Sequence, residues 1–326
     1  MPDPEVFGAQ VFGAQMSDAQ MFGQELDRWL EAVLPGQWAT GQARLGGGYR
    51  NRNTRLDLDD GESVVLRQYE VDEASRICAV EAALLKRLRG VAPVPPLIAT
   101  DPDGSAAGQP VLLTEFVPGT PLAAALAGPG DHAGLGRAAG RALAAIGTVS
   151  FASGGFFIDG TLEPSAEELT GGLAEFVDTS LAAGPAPDVL SPAELDGLRA
   201  LAAADEPFAA RAAGASQLVH SDFNPKNLLV AADGSVSAVL DWEFAFSGSP
   251  LTDIGNMLRF REDYPPRFGG AFIAGYQDAG GRLPPDWREI SEALDLYALA
   301  DFLTRPPGHR YFGRAVAAIR RRLAPR

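Results

Sequence analysis

The chain has 326 residues, of which 46% are hydrophobic, and it carries a net charge of −15 with a single cysteine. This composition excludes an intrachain disulfide, argues against wholesale disorder, and gives an acidic surface that repels nucleic acid and anionic lipid. No apolar run approaches the roughly 18 residues of a membrane span, and the first residues lack the basic start of a secretory signal. We therefore predict a cytoplasmic protein of two lobes or domains without membrane spans.

The motif VFGAQ occurs twice in succession at residues 6–15 and is followed by the looser copies MSDAQ and MFGQE. A period of five residues is too short for a stacked structural repeat, so residues 1–23 are predicted to form a flexible tail, with a true start at Met16 or Met21 as the alternative, and no function is assigned to them. Apolar residues then recur at helical spacing from Leu26 to Leu34. This pattern predicts a first helix that begins near Gln24 and ends at Pro35.

Short strands and one helix are predicted next. Strand-like segments lie near residues 43–45, 53–58, 63–69, 91–100 and 111–117, and a helix is predicted over 72–89. The remaining chain carries mainly helical patterns, with a short β segment at 217–241. We predict an α+β, bilobal protein in which residues 24–117 form a lobe of antiparallel strands with one main helix. Residues 118–326 form a larger helical lobe, and the cleft between the lobes binds the ligand.

Polar residues cluster in the β segment of the second lobe, LVHSDFNPKNLLVAADGSVSAVLDWEF. Asp222 and Asn227 lie in a loop between two strands, and Asp241 ends the next strand, so a hairpin would bring all three to one edge. One carboxylate could accept a substrate proton, while an amide and the other carboxylate offer hard oxygen ligands to Mg²⁺, as phosphoryl transfer requires. The alternative is an Asx-turn loop with an unrelated Asp at a strand end, which the joint spacing and order disfavour.

These residues resemble those of a known family. HSDFNPKN is similar to the catalytic loop of kinase-fold enzymes, and LDWE resembles the metal-binding element of the aminoglycoside phosphotransferase and choline kinase family. The resemblance covers most of the chain. It implies a bilobal protein-kinase-like fold, ATP or GTP as the phosphate donor, and Mg²⁺. It also implies that Asp222 is the catalytic base, that Asn227 and Asp241 bind Mg²⁺, and that His220 structures the loop.

The same resemblance places the nucleotide clamp in the first lobe. Gly46, Gly47 and Gly48 resemble the glycine-rich loop that lets backbone N–H groups approach phosphates, although a hairpin turn is the simpler explanation of the glycines alone. VVLRQY resembles the strand that normally carries a phosphate-contacting lysine, but Arg67 occupies that position, and we expect it to substitute. Glu81 resembles the partner of this basic residue, with an exposed helical Glu as the alternative.

Two further elements follow from the resemblance. Backbone groups from Glu115 to Val117, in the hinge between the lobes, would bond the adenine edge. Asp253 would steady the catalytic loop through hydrogen bonds, although an acid at a helix start is favourable in any case. Lys226 is assigned no phosphate role and is expected to face solvent. Asn224 occupies the position of a lysine in protein kinases, and no activation-loop motif follows LDWE, which favours a small-molecule kinase.

Charge is distributed unevenly along the chain. Residues 91–219 hold 15 acidic and 4 basic side chains, whereas residues 271–326 hold 6 acidic and 9 basic ones. In the family the acidic stretch supplies most of the acceptor side of the cleft, so we predict a cationic small molecule as acceptor, with a plain acidic surface as the alternative. The preferred hypothesis is a resistance kinase for an antibiotic, either an aminoglycoside or a basic peptide. A metabolic kinase for choline, a sugar or an amino alcohol is the runner-up.

A hypothesis from a different class is a kinase-fold binding module without activity. Arg67 and the loosely matched glycine loop favour it, whereas intact Asp222, Asn227 and Asp241 argue against it. The choice between ATP and GTP and the oligomeric state stay open at this point.

Overall fold

The computed structural model describes residues 22–46, 51–165 and 172–324. The predicted tail therefore lies almost wholly outside the described residues, and so do Gly47 and Gly48 of the predicted glycine-rich loop. Within the described ranges, no helix is both long enough and apolar enough to cross a membrane.

An antiparallel sheet dominates the N-terminal part. Its elements are α1 (Gln24–Val33), β1 (Ala39–Arg44), β2 (Asn51–Leu58), β3 (Ser63–Tyr69), α2 (Ala74–Leu88), β4 (Leu97–Asp101) and β5 (Val111–Glu115). The strands are ordered β1-β2-β3-β5-β4, and every neighbouring pair is antiparallel. The strand predicted over 91–100 begins only at Leu97, because the prolines before it lack the N–H that a strand ladder needs.

The two faces of this sheet carry different side chains. Val64 and Leu66 of β3 point to one face and are buried with Leu26 of α1. Side chains alternate along a strand, so Arg67 and Tyr69 reach the opposite face, where both contact α2. A largely apolar strand thus delivers a charged residue to the side of the sheet on which the site lies.

The rest of the chain is mainly helical. Its elements are β6 (Thr120–Pro121), α3 (Leu122–Ala127), α4 (His132–Ile146), β7 (Gly155–Phe156), α5 (Leu173–Ala183), α6 (Pro192–Ala210), β8 (Gln217–Val219), β9 (Leu228–Val230), β10 (Val236–Val239), β11 (Phe246–Gly248), α7 (Leu251–Leu258), α8 (Phe268–Asp278), α9 (Trp287–Phe302) and α10 (Arg310–Leu323). The short strands form two sheets, β10-β9-β6 and β7-β11-β8, so the β segment predicted at 217–241 is divided between both. The predicted α+β fold class is confirmed.

Residues 116–119 join the sheet to the helical part. Thr120 of β6 already pairs with Val230 of β9, so the chain enters the helical part directly after this connection. Gly119 allows the close passage, because a Cβ there would lie 2.9 Å from Ser237 Oγ. The predicted lobe boundary falls in the connection, and as a domain division it stays a prediction.

Glycines let α4 and α8 approach each other at backbone distance. A Cβ at Gly140 of α4 would lie 2.1 Å from Phe272 O, and a Cβ at Gly275 of α8 would lie 2.4 Å from Arg137 O. Phe272 is fully buried and stacks on Phe223, in the loop between β8 and β9. The crossing therefore supports the loop that carries the predicted catalytic residues.

Gly140→Ala should lower the free energy of unfolding by about 2–3 kcal/mol, because the added methyl group forces two packed backbones apart. Gly270→Ala in α8 is the matched control, since nothing lies within 4 Å of the position of its Cβ. That change should leave stability unaltered or raise it by about 0.5–1 kcal/mol. Urea unfolding followed by circular dichroism measures both variants. Equal stabilities would contradict the role of the crossing.

Candidate active site

The loop between β8 and β9 begins with a backbone turn that residues of α7 hold in place. Ser221 has a φ of 69°, a left-handed conformation that is costly for a residue with a side chain. The carboxylate of Asp253 accepts the N–H groups of His220 and Ser221, both at 2.8 Å. Asn256 donates its side-chain amide to Ser221 O at 2.9 Å. These bonds fix the direction in which the chain continues to Asp222.

His220 links this loop to the strand end that carries Asp241. Its Nε2 lies 2.9 Å from Leu240 O, and its Nδ1 accepts the N–H of Asp222 at 3.2 Å. Because Nδ1 accepts an N–H, the geometry places the ring proton on Nε2, and burial lowers the pKa of the ring. Trp242 packs against the ring, with the two centroids 4.5 Å apart. His220 therefore fixes the distance between the end of β8 and the segment that follows β10.

The carboxylate of Asp222 is held by side chains of its own loop. Asn224 donates to Oδ1 at 2.6 Å, and Asn227 donates to Oδ2 at 2.9 Å. The side chain of Lys226 is 38% exposed, in keeping with the expectation that it faces solvent, but its ammonium is bound to Asp222 Oδ2 at 2.9 Å. An Asx turn directs it there, because Asn224 Oδ1 accepts the N–H of Lys226 at 3.1 Å.

Arg67 joins the N-terminal sheet to the strand end of Asp241. Its terminal Nη2 lies 2.6 Å from Asp241 Oδ1 and 3.5 Å from Glu243 Oε2. Its Nε lies 3.4 Å from Glu81 Oε2, which is an ion-pair distance without hydrogen-bond geometry. Burial alone would lower the pKa of Arg67, but the surrounding carboxylates, Glu81 foremost, raise it well above its ordinary value. The predicted contact between Arg67 and Glu81 is therefore part of a larger charged cluster.

Three members of this cluster were missed by sequence reasoning. Tyr69 donates its hydroxyl to Glu81 at 2.6 Å, and Asn51 donates its amide to Glu243 at 2.7 Å. The alternation along β3 could have found Tyr69, since it places this residue on the face of Arg67. Glu243 lies two residues after Asp241, but strand alternation does not extend to it, because β10 ends at Val239 and Asp241 has a left-handed φ of 70°. Asn51 could not have been found either, because no spacing reveals a contact between such distant segments.

Asn227 and Asp241 offer oxygens suited to a magnesium ion. Leu240 donates its N–H to Asn227 O at 2.8 Å, so the backbone brings the two residues close together. Burial would raise the pKa of Asp241, but Arg67 lowers it below the ordinary value and keeps the carboxylate ionised. Among the described residues, no group of three His, Cys, Asp or Glu side chains could hold a metal. One carboxylate and one amide still fit Mg²⁺, which takes few protein oxygens and keeps phosphate oxygens and waters.

Two backbone N–H groups of the predicted hinge already have partners. Glu115 donates its N–H to Pro96 O at 3.0 Å, and Phe116 donates its N–H to Ser63 O at 2.9 Å. Both bonds stay within the sheet. Of the N–H groups from 115 to 117, the one at Val117 therefore remains the candidate for an adenine contact.

Gly46 lies two residues after the end of β1, at the start of the predicted glycine-rich loop. Leu45 donates its N–H to Asn53 O at 2.9 Å, so the strands on either side of the loop form a hairpin. A hairpin agrees with the simpler explanation of the glycines and also with a phosphate-binding loop. Gly47 and Gly48 lie outside the described residues, and their role stays a prediction.

A model of the phosphotransferase enzyme family matches residues 41–292. The chain belongs to this family. The matched region contains every residue of the charged cluster and of the loop between β8 and β9. The resemblance based on HSDFNPKN and LDWE is confirmed, as is the predicted enzyme class, a phosphotransferase that acts on the alcohol group of a small molecule.

Solved structures share the fold of this phosphotransferase. The macrolide 2'-phosphotransferase MphH from Brachybacterium faecium is 21% identical, with a TM-score of 0.60 over 91% of this chain and 98% of that chain. The GDP and kanamycin complex of APH(2")-IIia is 16% identical, with a TM-score of 0.65 over 90% and 97%. A putative fructosamine-3-kinase from Thermobifida fusca YX-ER1 is 21% identical, with a TM-score of 0.61 over 90% and 98%. No curated protein sequence matches the chain.

Asp253→Asn should lower the free energy of unfolding by about 2 kcal/mol or more. Burial raises the pKa of Asp253 to about 7, even though the backbone N–H donors act in the opposite direction. Because each of its oxygens accepts a backbone N–H, an asparagine would set an NH₂ group against one of these buried donors and leave it unpaired.

Asp196→Asn in α6 is the control for this change, since Asp196 forms an exposed ion pair with Arg199. It should alter stability by less than about 0.5 kcal/mol. Urea unfolding compares the two variants with the unmodified protein. A loss at Asp253 no larger than that at Asp196 would show that the turn does not depend on this carboxylate.

Proposed function

We propose that this phosphotransferase moves the γ-phosphate of ATP to a hydroxyl group of a small cationic molecule, with Mg²⁺ bound by Asn227 and Asp241. The observation that carries the proposal is the convergence of Asp222, Asn227, Asp241 and Arg67 between the sheet and the helical part. An oriented carboxylate, two oxygen ligands and a basic residue are the groups that phosphoryl transfer uses.

The identity of the phosphate donor rests on the related structures. APH(2")-IIia was solved with GDP, and a thermostable mutant of APH(4)-Ia was solved with AMP-PNP and hygromycin B. Both ligands are purine nucleotides. ATP is our proposal for this chain, and GTP is the alternative donor.

Asp222 is the base in this mechanism. Amide groups of its own loop hold both carboxylate oxygens, so the carboxylate is oriented before the acceptor arrives. Asp222 accepts the proton of the acceptor hydroxyl as the hydroxyl oxygen attacks the γ-phosphorus. A bound Mg²⁺ would supply neutralising charge for the phosphate oxygens. Arg67 keeps Asp241 ionised for that role, and His220 and Asp253 hold the loop in register.

The glycine-rich loop is proposed to cover the phosphates, and the backbone of Val117 to contact the adenine. Asn51, the first described residue after the loop, donates its amide to Glu243 at 2.7 Å. This bond brings the end of the loop beside the strand end that carries Asp241. A phosphate group bound near Asp241 would therefore also lie near the loop.

A cationic antibiotic is the proposed acceptor. The surplus of acidic side chains in residues 91–219, 15 against 4 basic ones, supports a cation. The similar structures include a macrolide phosphotransferase and an enzyme in complex with kanamycin. A metabolic acceptor is the second candidate, and the likeness to a putative fructosamine-3-kinase favours it. An inactive binding module is disfavoured, because Arg67 contacts Asp241 directly.

Asp222→Ala should lower kcat by about 10²–10⁴-fold, because it removes the group that orients and deprotonates the acceptor hydroxyl. Affinity for ATP should persist. The measurement is nucleoside-diphosphate release with Mg²⁺ and ATP or GTP, against a panel of aminoglycosides, basic peptide antibiotics, macrolides, choline and glycated amines.

Asp196→Asn is the control and should turn over at the unmodified rate. Acceptor-dependent release that disappears in Asp222→Ala identifies the acceptor class together with the base. Near-normal turnover in Asp222→Ala would sink the assignment of the base.

A further inference from the structure

Two cationic side chains, Arg67 and Lys226, lie beside the reacting groups of the proposed site. They differ in the number of carboxylates that contact them. The guanidinium of Arg67 contacts Asp241, Glu243 and Glu81, and only 10% of its side chain is exposed. Three carboxylates surround one guanidinium and outweigh its positive charge, although its Nε makes no hydrogen bond. Arg67 therefore has little charge left to offer an incoming phosphate group.

Lys226 is in the opposite situation. Its ammonium lies 2.9 Å from a single carboxylate oxygen, Asp222 Oδ2, and its side chain is 38% exposed. An ammonium has three donors, so two N–H groups remain after the bond to Asp222. The ring of Tyr311, from α10, lies 5.8 Å from Lys226 Nζ and borders it on the side of the helical part. The other lysine of the chain, Lys86, is exposed on α2.

We propose that Lys226 binds the transferring phosphoryl group, with one N–H on Asp222 and another on a γ-phosphate oxygen. The inference rests on the proposed function and adds a catalytic residue to it. In the reaction, the acceptor oxygen bonds to the γ-phosphorus while the bond from that phosphorus to the β,γ-bridging oxygen breaks. The bridging electron pair leaves with the diphosphate, and the hydroxyl proton passes to Asp222. Lys226 stays protonated throughout.

Distance supports this role. An acceptor hydroxyl bonded to Asp222 must approach the γ-phosphorus to about 3–3.5 Å before it reacts. The oxygens of that phosphoryl group then come within reach of an ammonium bound to the same carboxylate. Charge develops on these oxygens in the transition state, and a preorganised cation beside them is worth more there than in the ground state.

The backbone of the loop also supports this role. Asn224 Oδ1 accepts the N–H of Lys226, and Pro225 O accepts the N–H of Ala123 at 2.9 Å, so the residues before the lysine are held on both sides. The flexible stem of a lysine suits a cation that must follow a moving phosphoryl group, whereas the rigid fork of an arginine suits fixed carboxylates. Arg67 thus supports the proposed metal ligand Asp241, and Lys226 binds the phosphate.

The test compares affinities for ATP and for ADP, each with Mg²⁺, by calorimetry. If Lys226 contacts the γ-phosphate, Lys226→Met should weaken ATP binding about 10-fold or more while ADP binding changes less than about twofold. Lys226→Arg should recover part of the affinity for ATP. Lys86→Met removes a lysine outside the site and should leave both affinities unchanged. Lys226→Gln provides a second neutral variant, and thermal unfolding checks that each variant is folded.

Activity supplies a second readout of the same variants. With any acceptor that the unmodified enzyme uses, Lys226→Met should lower kcat by about 10²–10³-fold with little change in the KM of the acceptor. An unchanged ratio of ATP to ADP affinity in Lys226→Met and Lys226→Gln would overturn the inference, because a lysine that only orients Asp222 leaves that ratio intact. If the unmodified protein binds neither ATP nor GTP, the proposed function itself fails, and this inference fails with it.

Discussion

The carboxylate of Asp253 bonds two successive backbone N–H groups, those of His220 and Ser221, and the geometry of the site depends on this contact. Without it, the left-handed conformation of Ser221 would be supported only by the bond from the Asn256 amide to Ser221 O. The turn sets where the ring of His220 lies, and the ring in turn spaces the loop between β8 and β9 from the segment that carries Asp241. A buried carboxylate at the start of a helix thus determines the position of side chains that it never contacts.

Arg67 supplies the second constraint. The strand that carries it must bury apolar side chains against α1 on one face and present a guanidinium on the other. An isolated buried charge would be costly, and the carboxylates of Glu81, Asp241 and Glu243 compensate for it. Arg67 stands where the family normally has lysine, and the carboxylates around it stabilise its buried charge. Its planar guanidinium sets Nε towards Glu81 and Nη2 towards Asp241 and Glu243, a geometry that differs from the point charge of an ammonium.

Sequence patterns predict most residues of the site but not the hydrogen bonds and ion pairs that join them. The order and spacing of HSDFNPKN and LDWE predict which residues meet, because a hairpin of adjacent strands brings them together. The direction of Lys226 could not be predicted, since it depends on an Asx turn and on Tyr311 from the last helix. The contact of Glu243 with Asn51 depends on how the sheet sits against the helical part. The approach of α4 and α8 at Gly140 is equally invisible to periodicity, because a glycine in a helix carries no apolar signal.

The contacts of β2 and β3 with the Asp-Trp-Glu segment have a consequence for motion. Arg67 and Asn51 lie on neighbouring strands, and their partners Asp241 and Glu243 are two residues apart. The chain itself connects the sheet to the helical part only through residues 116–119, and these two bonds lie away from that connection. Arg76 and Arg87 of α2 add bonds to Phe157 O and Ser150 O of the helical part. Rotation of one part against the other would have to break all of these contacts together, so it would be a concerted step rather than a gradual loosening.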